Sequence, residues 1–197
     1  MVERHPSKLD VTGSNPVFRS REISSAVVAP LLQSGCRWFE SDISHHKYFK
    51  KIMDELYQSL HKAQTSLFCL MQKTWVYHWN VVGSDFFELH EAFGEQYTTM
   101  QGELDRLTEH MRYLRMKAIS SISRVIETSE IPEASTNPTD KSMVSQLHSD
   151  NKKMIELLTS VVEESEKTKQ YTTSNIAQDL IETHGKFVWM LRSYLKE

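Results

Sequence analysis

Four side chains that could bind a metal ion are spaced along residues 75–110 in a way that does not suit one chain. They are His78, His90, Asp105 and Glu109. The last three lie on one predicted helix, where offsets of 15 and 19 residues from His90 place the two carboxylates within about 100° of it, on one face. Fifteen residues of helix span about 22 Å, however, whereas a metal–ligand bond is about 2 Å long. His90 therefore cannot share a metal ion with Asp105 of its own chain.

A two-fold dimer would remove this difficulty. An antiparallel partner helix places the partner's Asp105 and the partner's Glu109 opposite His90, and an isologous interface makes two such sites. Two imidazoles and two carboxylates, with room for water, suit ferrous iron better than a closed thiolate zinc site. The spacing alone leaves a second interpretation open, in which the carboxylates form a solvated helix face and His90 is a hydrogen-bonded core residue.

The same stretch resembles the Dps family ("DNA-binding proteins from starved cells"), also called miniferritins. The resemblance rests on HWNVVGSDFFELHEAFGEQY, which begins at His78, and on DRLTEH, which begins at Asp105. KFVWMLRSYLKE at the end of the sequence is similar to the last helix of the family. The resemblance covers about residues 47–197.

The resemblance implies a fold and an activity. The expected fold is all-α, a ferritin-like four-helix bundle with a short extra helix in the connection between the second and third long helices. The expected activity is that of a ferroxidase, which oxidises Fe(II) with hydrogen peroxide or oxygen between subunits of a homo-oligomer, a dodecamer. The cage would store ferric iron and protect DNA from oxidative damage.

The resemblance also implies roles for individual residues. His78 and His90 would bind iron, as one ion or as a di-iron pair, together with Asp105 and Glu109 of the two-fold mate. Trp79 would lie near the iron and could quench radicals. The sequence departs from the family at Gly94, where the family has Asp or Glu one helical turn after the second histidine. The alternative is a non-enzymatic cage, or a DNA-associated stress protein, with a degenerate iron site.

Composition agrees with a helical protein and limits its partners. The 197 residues are 39% hydrophobic and 25% charged, with only 6 Gly and 5 Pro, which suits one domain with a substantial core. No apolar run is long enough to span a membrane, and Cys36 and Cys69 form no disulfide framework, so we expect a cytoplasmic location. A net charge of −3 without a Lys-rich tail predicts weak or absent DNA binding.

Hydrophobic periodicity predicts where the helices lie. It predicts long helices over residues 46–79 and 85–118, a short helix over 120–130, and long helices from about residue 139 and after a turn at 170–174. Asp85 is a predicted N-cap. Residues 1–45 lack this periodicity, and VTGSNPVFRS and CRWFESDIS within them look like translated transfer-RNA genes. We expect residues 1–45 to be a non-domain segment of that origin, or a disordered tail, and residues 46–197 to form the bundle.

Overall fold

The computed structural model describes residues 37–196, with side chains for Tyr48 and for residues 50–196. Within this range there are five helices and no strand: α1 (Arg37–Asn80), α2 (Phe86–Tyr113), α3 (Ile122–Thr128), α4 (Asp140–Lys167) and α5 (Tyr171–Leu195). The four long helices and the short α3 confirm the predicted all-α architecture. Among the described residues, no helix is both long and apolar enough to cross a membrane.

The chain separates into two units, of which the second, Ser44–Glu197, contains the bundle described below. The interpretation of residues 1–45 stays a prediction, because residues 1–36, including Cys36, lie outside the described part of the chain. Helix α1 begins at Arg37 and not near residue 46, where the apolar periodicity begins.

Each long helix buries one apolar face against the others. The fully buried positions recur every three or four residues, as the 3.6-residue period of an α-helix requires. Complete burial of one Leu or Phe side chain contributes about 1.5–3 kcal/mol, so these faces supply most of the driving force for folding. Cys69 is buried and free. On α1 and α2 the fully buried apolar residues include Leu56, Leu60, Leu67, Leu70, Phe93, Met100, Leu107 and Met111.

Helix α2 ends at Tyr113, five residues before the predicted end at 118. Arg115 has a φ of 61°, and the Met116 N–H donates to the Met111 carbonyl at 2.9 Å. This is the hydrogen bond of a Schellman-type helix end, in which a left-handed residue reverses the chain. Glycine or asparagine normally marks that position. Because arginine occupies this position, no glycine or asparagine marked the end of α2. The apolar pattern therefore predicted a helix that continued past Tyr113 to residue 118.

Helices α4 and α5 begin in different ways. Thr139 caps α4, and its hydroxyl accepts a hydrogen bond from the Ser142 N–H at 3.2 Å, so the predicted start near residue 139 is confirmed. Helix α5 begins at Tyr171, inside the segment predicted to be a turn. The reversal occurs just before it, at Lys169, which has a φ of 56°.

The long connection between α2 and α4 is attached to the bundle at Glu130. The Glu130 carboxylate accepts from Lys62 of α1 at 2.9 Å and from Lys153 of α4 at 3.0 Å, and these two hydrogen bonds hold its pKa below the ordinary value. The Glu130 N–H donates to the Ser66 hydroxyl at 3.0 Å. Ile131 beside it is buried, so this connection is anchored by both polar and apolar contacts.

Lys73 of α1 and Asp150 of α4 form an ion pair inside the bundle. Their Nζ and Oδ2 atoms are 2.7 Å apart, and the side chains are only 1% and 12% exposed. Burial raises the pKa of the Asp150 carboxyl, and the hydrogen bond and charge of Lys73 oppose this shift. Because neither charge is well hydrated, each depends on the other for compensation.

Lys73→Met should therefore destabilise the bundle by about 3–5 kcal/mol, because it leaves the Asp150 charge buried without a partner. The double variant Lys73→Met/Asp150→Leu should recover most of this loss, since it removes both charges. Lys62→Met is the matched control: its ion pair is half exposed and should matter by less than about 1 kcal/mol. Thermal and urea unfolding measure the differences. A double variant as unstable as the single one would contradict the argument.

Candidate metal site

Two histidines from consecutive helices are joined by hydrogen bonds, each ring to the backbone carbonyl of the other residue. His78 lies in the last turn of α1, and His90 lies in the second turn of α2. The His78 Nδ1 is 2.7 Å from the His90 carbonyl oxygen, and the His90 Nδ1 is 2.8 Å from the His78 carbonyl oxygen. A carbonyl oxygen can only accept, so each Nδ1 carries a proton, and the nitrogen that could bind a metal ion is Nε2.

This arrangement suits metal binding. The two rings are stacked with centroids 3.8 Å apart and an interplanar angle of 22°. A histidine that binds a metal usually donates its other ring N–H to a carbonyl or carboxylate, which fixes the tautomer and the orientation of the ring. Both histidines meet this condition, and both are half-buried. The structure thus brings two of the four candidate ligands together.

Aromatic side chains cover the histidine pair from both sides. Phe86 stacks on His90 with centroids 5.1 Å apart, and Tyr97 meets His78 edge-on at 5.3 Å. The sequence interpretation did not single out either residue. The available signal was their spacing, because Phe86 lies one helical turn before His90 on α2 and Tyr97 lies two turns after it.

Trp79 belongs to a second layer of this aromatic cluster. Its ring centroid is 4.7 Å from that of Trp75, which in turn stacks on Tyr97 at 5.5 Å. Trp79 is 58% exposed, so one face of the indole is open. Trp75, which the sequence interpretation also passed over, connects Trp79 to the ring that touches His78.

The loop between α1 and α2 is fixed by a contact from a residue that is distant in sequence, near the end of α5. The Tyr194 hydroxyl of α5 donates to Asp85 Oδ2 at 2.6 Å, and the Ser84 hydroxyl donates to Asp85 Oδ1 at 3.1 Å. The first hydrogen bond lowers the pKa of Asp85 and raises that of Tyr194 to about 12. Asp85 occupies the N-cap position, but its side chain makes no capping hydrogen bond. The predicted N-cap position is therefore confirmed, but the carboxylate does not cap the helix, because Tyr194 and Ser84 engage it instead.

Gly94 lies directly against the His78 ring. A Cβ atom at this position would be 3.2 Å from His78 Cε1 and 3.3 Å from His78 Nδ1, which is tighter than ordinary van der Waals contact. The resemblance to the Dps family identified Gly94 as a position where the family has a carboxylate. The structure adds that the missing side chain leaves space that the imidazole occupies.

Asp105 and Glu109 do not join the histidine pair within one chain. Both are exposed on α2, and Asp105 lines an open surface groove with Phe68, Met71 and Gly102. Over residues 37–196, no group of three or more His, Cys, Asp or Glu side chains lies close enough to hold a metal ion. One chain therefore contributes the histidine pair at one place and the two carboxylates at another.

A second polar group, which the sequence interpretation missed, lies inside the bundle. Glu103 of α2 faces His184 of α5, with 3.5 Å between Oε2 and Nε2. Burial lowers the pKa of His184 to about 4 and raises the pKa of Glu103 to about 7. The signal in the sequence was a histidine within the apolar row of α5, between Leu180 and Phe187.

Comparison with known proteins agrees with this architecture. A ferritin-like domain model matches residues 57–197. General stress protein 20U of Bacillus subtilis (strain 168) is 30% identical over 142 residues, which are 72% of this chain and 98% of that protein. DNA protection during starvation protein 2 of Bacillus anthracis is 28% identical over 143 residues, covering 73% of this chain and 98% of that protein.

Solved structures show the same fold. The crystal structure of the DPS protein from Vibrio cholerae O1, a member of a broad superfamily of ferritin-like diiron-carboxylate proteins, matches with a TM-score of 0.70 at 28% identity. The match covers 74% of this chain and 91% of that one. Fold, matched domain and relatives together place the chain in the Dps family of ferritin-like proteins.

Proposed function

We propose that this protein oxidises Fe(II) at sites shared between two subunits and stores the ferric product in a homo-oligomeric cage. Membership of the family supports iron storage and DNA protection at the level of the family. The observation that carries the specific reaction is the reciprocal hydrogen bonding of His78 and His90, which uses Nδ1 of both stacked rings and leaves both Nε2 atoms out of these contacts. Imidazole is a suitable ligand for iron.

The proposed role of each residue follows from the type of ligand that it provides. His78 and His90 of one subunit bind Fe(II), and the partner's Asp105 and the partner's Glu109 complete the site. Two Fe(II) ions each give one electron to one molecule of hydrogen peroxide, which takes up two protons and becomes two molecules of water. The loss of an electron raises the charge on iron, so the carboxylates favour the oxidised product. Trp79, which contacts Trp75 and through it Tyr97, would supply an electron to a stray radical.

Apolar exposure beside the histidine pair supports the shared site. Val82 is 76% exposed and Phe87 is 79% exposed, and both lie between or next to the ends of α1 and α2. Large apolar side chains clustered on a surface usually mark an interface. A second copy of the chain would cover them and would bring its carboxylates to the histidines, and repetition of such contacts in a closed dodecamer is the proposed assembly.

DNA protection in this proposal is indirect. The net charge of −3 gives little attraction for phosphate, so binding to DNA should be weak or absent. Consumption of peroxide without release of hydroxyl radicals would protect DNA in the cytoplasm without contact.

Gly94 favours a second candidate function. If the missing carboxylate lowers the affinity for iron too far, the protein would be a cage, or a DNA-associated stress protein, without ferroxidase activity. Rapid mixing with Fe(II) and peroxide distinguishes the two functions.

The apo-protein should oxidise Fe(II) rapidly when peroxide is added under anaerobic conditions, as followed by ferric absorbance. His90→Ala should abolish the fast phase because it removes a ligand, and Asp105→Asn should do the same because the amide lacks the charge. Asp54→Asn, at an exposed position on α1, should leave the rate unchanged. Light scattering on the same sample should show an assembly, since a monomer of 23.0 kDa would rule out a shared site.

Mixing the two inactive variants tests whether a site is shared. In a dimer of one His90→Ala chain and one Asp105→Asn chain, one site combines both lesions and the other has every native ligand. Each mixed dimer should therefore regain one of its two sites. Dissociation and reassembly of the variants together, compared with each variant reassembled alone, measures the recovery. No recovery in verified mixed assemblies would show that the ligands come from a single chain.

Substitutions at Gly94 test the two interpretations of this position. Gly94→Ala should weaken Fe(II) binding, because its Cβ would displace the His78 ring by a few tenths of an ångström. Gly94→Asp has the same steric cost and adds a carboxylate. We expect it to bind Fe(II) more tightly than Gly94→Ala and to oxidise it faster than the native protein. Equal behaviour of the two variants would show that Gly94 is not the vacant ligand position.

A further inference from the structure

Three polar atoms meet inside the bundle without hydrogen-bond partners. They are both carboxylate oxygens of Glu103 and the Nε2 of His184. The Thr183 hydroxyl lies beside the Glu103 carboxylate, but it donates its one proton to the Asp179 carbonyl at 3.2 Å. His184 is fully buried and the Glu103 side chain is only 10% exposed. The 3.5 Å between Oε2 and Nε2 exceeds the usual length of an N···O hydrogen bond, about 2.7–3.2 Å. Burial of a polar group without a hydrogen-bond partner is unfavourable, so a cluster of three such atoms requires a physical reason.

The hydrogen bonds behind His184 fix which of its nitrogens faces Glu103. Asn151 Nδ2 donates to the Leu147 carbonyl at 2.7 Å, so Asn151 Oδ1 is the atom that meets the imidazole. His184 Nδ1 lies 2.6 Å from this oxygen and must donate to it. The Nε2 lone pair is thereby directed at the Glu103 carboxylate. This orientation by an outer hydrogen bond is the one that metal-binding histidines adopt.

The distance between the Glu103 carboxylate and the His184 imidazole matches that between two ligands of one cation. Ligand atoms about 2.1 Å from a tetrahedral metal ion lie about 3.4 Å from each other. The separation of 3.5 Å between Oε2 and Nε2 would need almost no adjustment. An ion in the gap would satisfy the imidazole lone pair and at least one carboxylate oxygen at once.

We propose that Glu103 and His184 bind a divalent transition-metal ion, of the class of Zn(II), Co(II) or Fe(II), inside each subunit. Glu103 and Asp105 are two residues apart on α2, a rotation of about 200°, so this site faces the core while the shared site lies outside. No third His, Cys, Asp or Glu joins the pair among the described side chains, so water completes the coordination.

The neighbouring charges permit a cation at this place. Arg106, nearly one turn along α2 from Glu103, is engaged at the surface by Asp179, with 2.8 Å between the guanidinium and the carboxylate. Its charge is thus partly neutralised before it can oppose an ion beside Glu103. The proposal is independent of the ferroxidase site, because it uses none of that site's residues.

The test uses Co(II) and the full-length protein with His78→Ala/His90→Ala, which removes the histidine pair of the outer site. Equilibrium dialysis should find about one Co(II) per chain held by this background, with visible absorption from a nitrogen- and oxygen-bound ion. Addition of Glu103→Gln, which keeps the shape of the side chain, should weaken binding by at least about tenfold and remove the absorption. Glu182→Gln, an exposed position on α5, is the matched control and should bind as the background does.

A folded Glu103→Gln protein that binds Co(II) like the background would overturn the proposal. X-ray absorption on the Zn(II)-loaded background gives an answer that does not depend on altering a buried residue. It should show about one imidazole nitrogen and otherwise oxygen ligands around the metal. A shell of oxygen atoms alone would also overturn the proposal.

Discussion

A helix that buries one face also fixes the direction of every other side chain on it, and this constraint organises the whole molecule. On α2 the buried positions Phe93, Met100 and Leu107 set the rotation of the helix about its axis. The same rotation directs Glu103 into the bundle and leaves Asp105 exposed. Core packing and the placement of charged groups are thus one property of the sequence, because the 3.6-residue period couples them.

This coupling explains why much of the fold could be predicted from the sequence. The existence of each helix, the row of Leu56, Leu60 and Leu67 on α1, and the cap at Thr139 are local patterns, and local patterns survive in the structure. The end of α2 could not be predicted, because Arg115 adopts a left-handed conformation in which glycine is usual. No local pattern distinguishes such an arginine from one in a helix.

The candidate site was predictable only in part, and for the same reason. His78 and His90 are close in sequence, so their spacing and the resemblance to a family identified both. The contacts of Tyr97 with His78, of Tyr194 with Asp85 and of His184 with Glu103 join different helices. Such contacts depend on how helices pack, which a single sequence does not state. Asp85 shows the consequence, because a distant tyrosine replaced the local capping role that its position suggested.

Gly94 illustrates how the absence of a side chain can have two meanings. Compared with its family, the position lacks a ligand, whereas in the structure it provides room for the His78 ring at 3.2 Å from the place of a Cβ. The two meanings are compatible, because the space that a carboxylate side chain would need at this position lies against the His78 ring. A site of this composition would carry less negative charge, which affects Fe(III) more than Fe(II).

The hydrogen bond between Tyr194 and Asp85 joins residues that are 109 positions apart. Asp85 belongs to the loop that joins the helix ends carrying His78 and His90. A hydrogen bond from the last turn of α5 therefore holds that loop in place. During synthesis the loop leaves the ribosome long before Tyr194 does. The geometry of the histidine pair is therefore completed only when almost all of the bundle is available to fold, because in a nascent chain Tyr194 is not yet present to hold this loop.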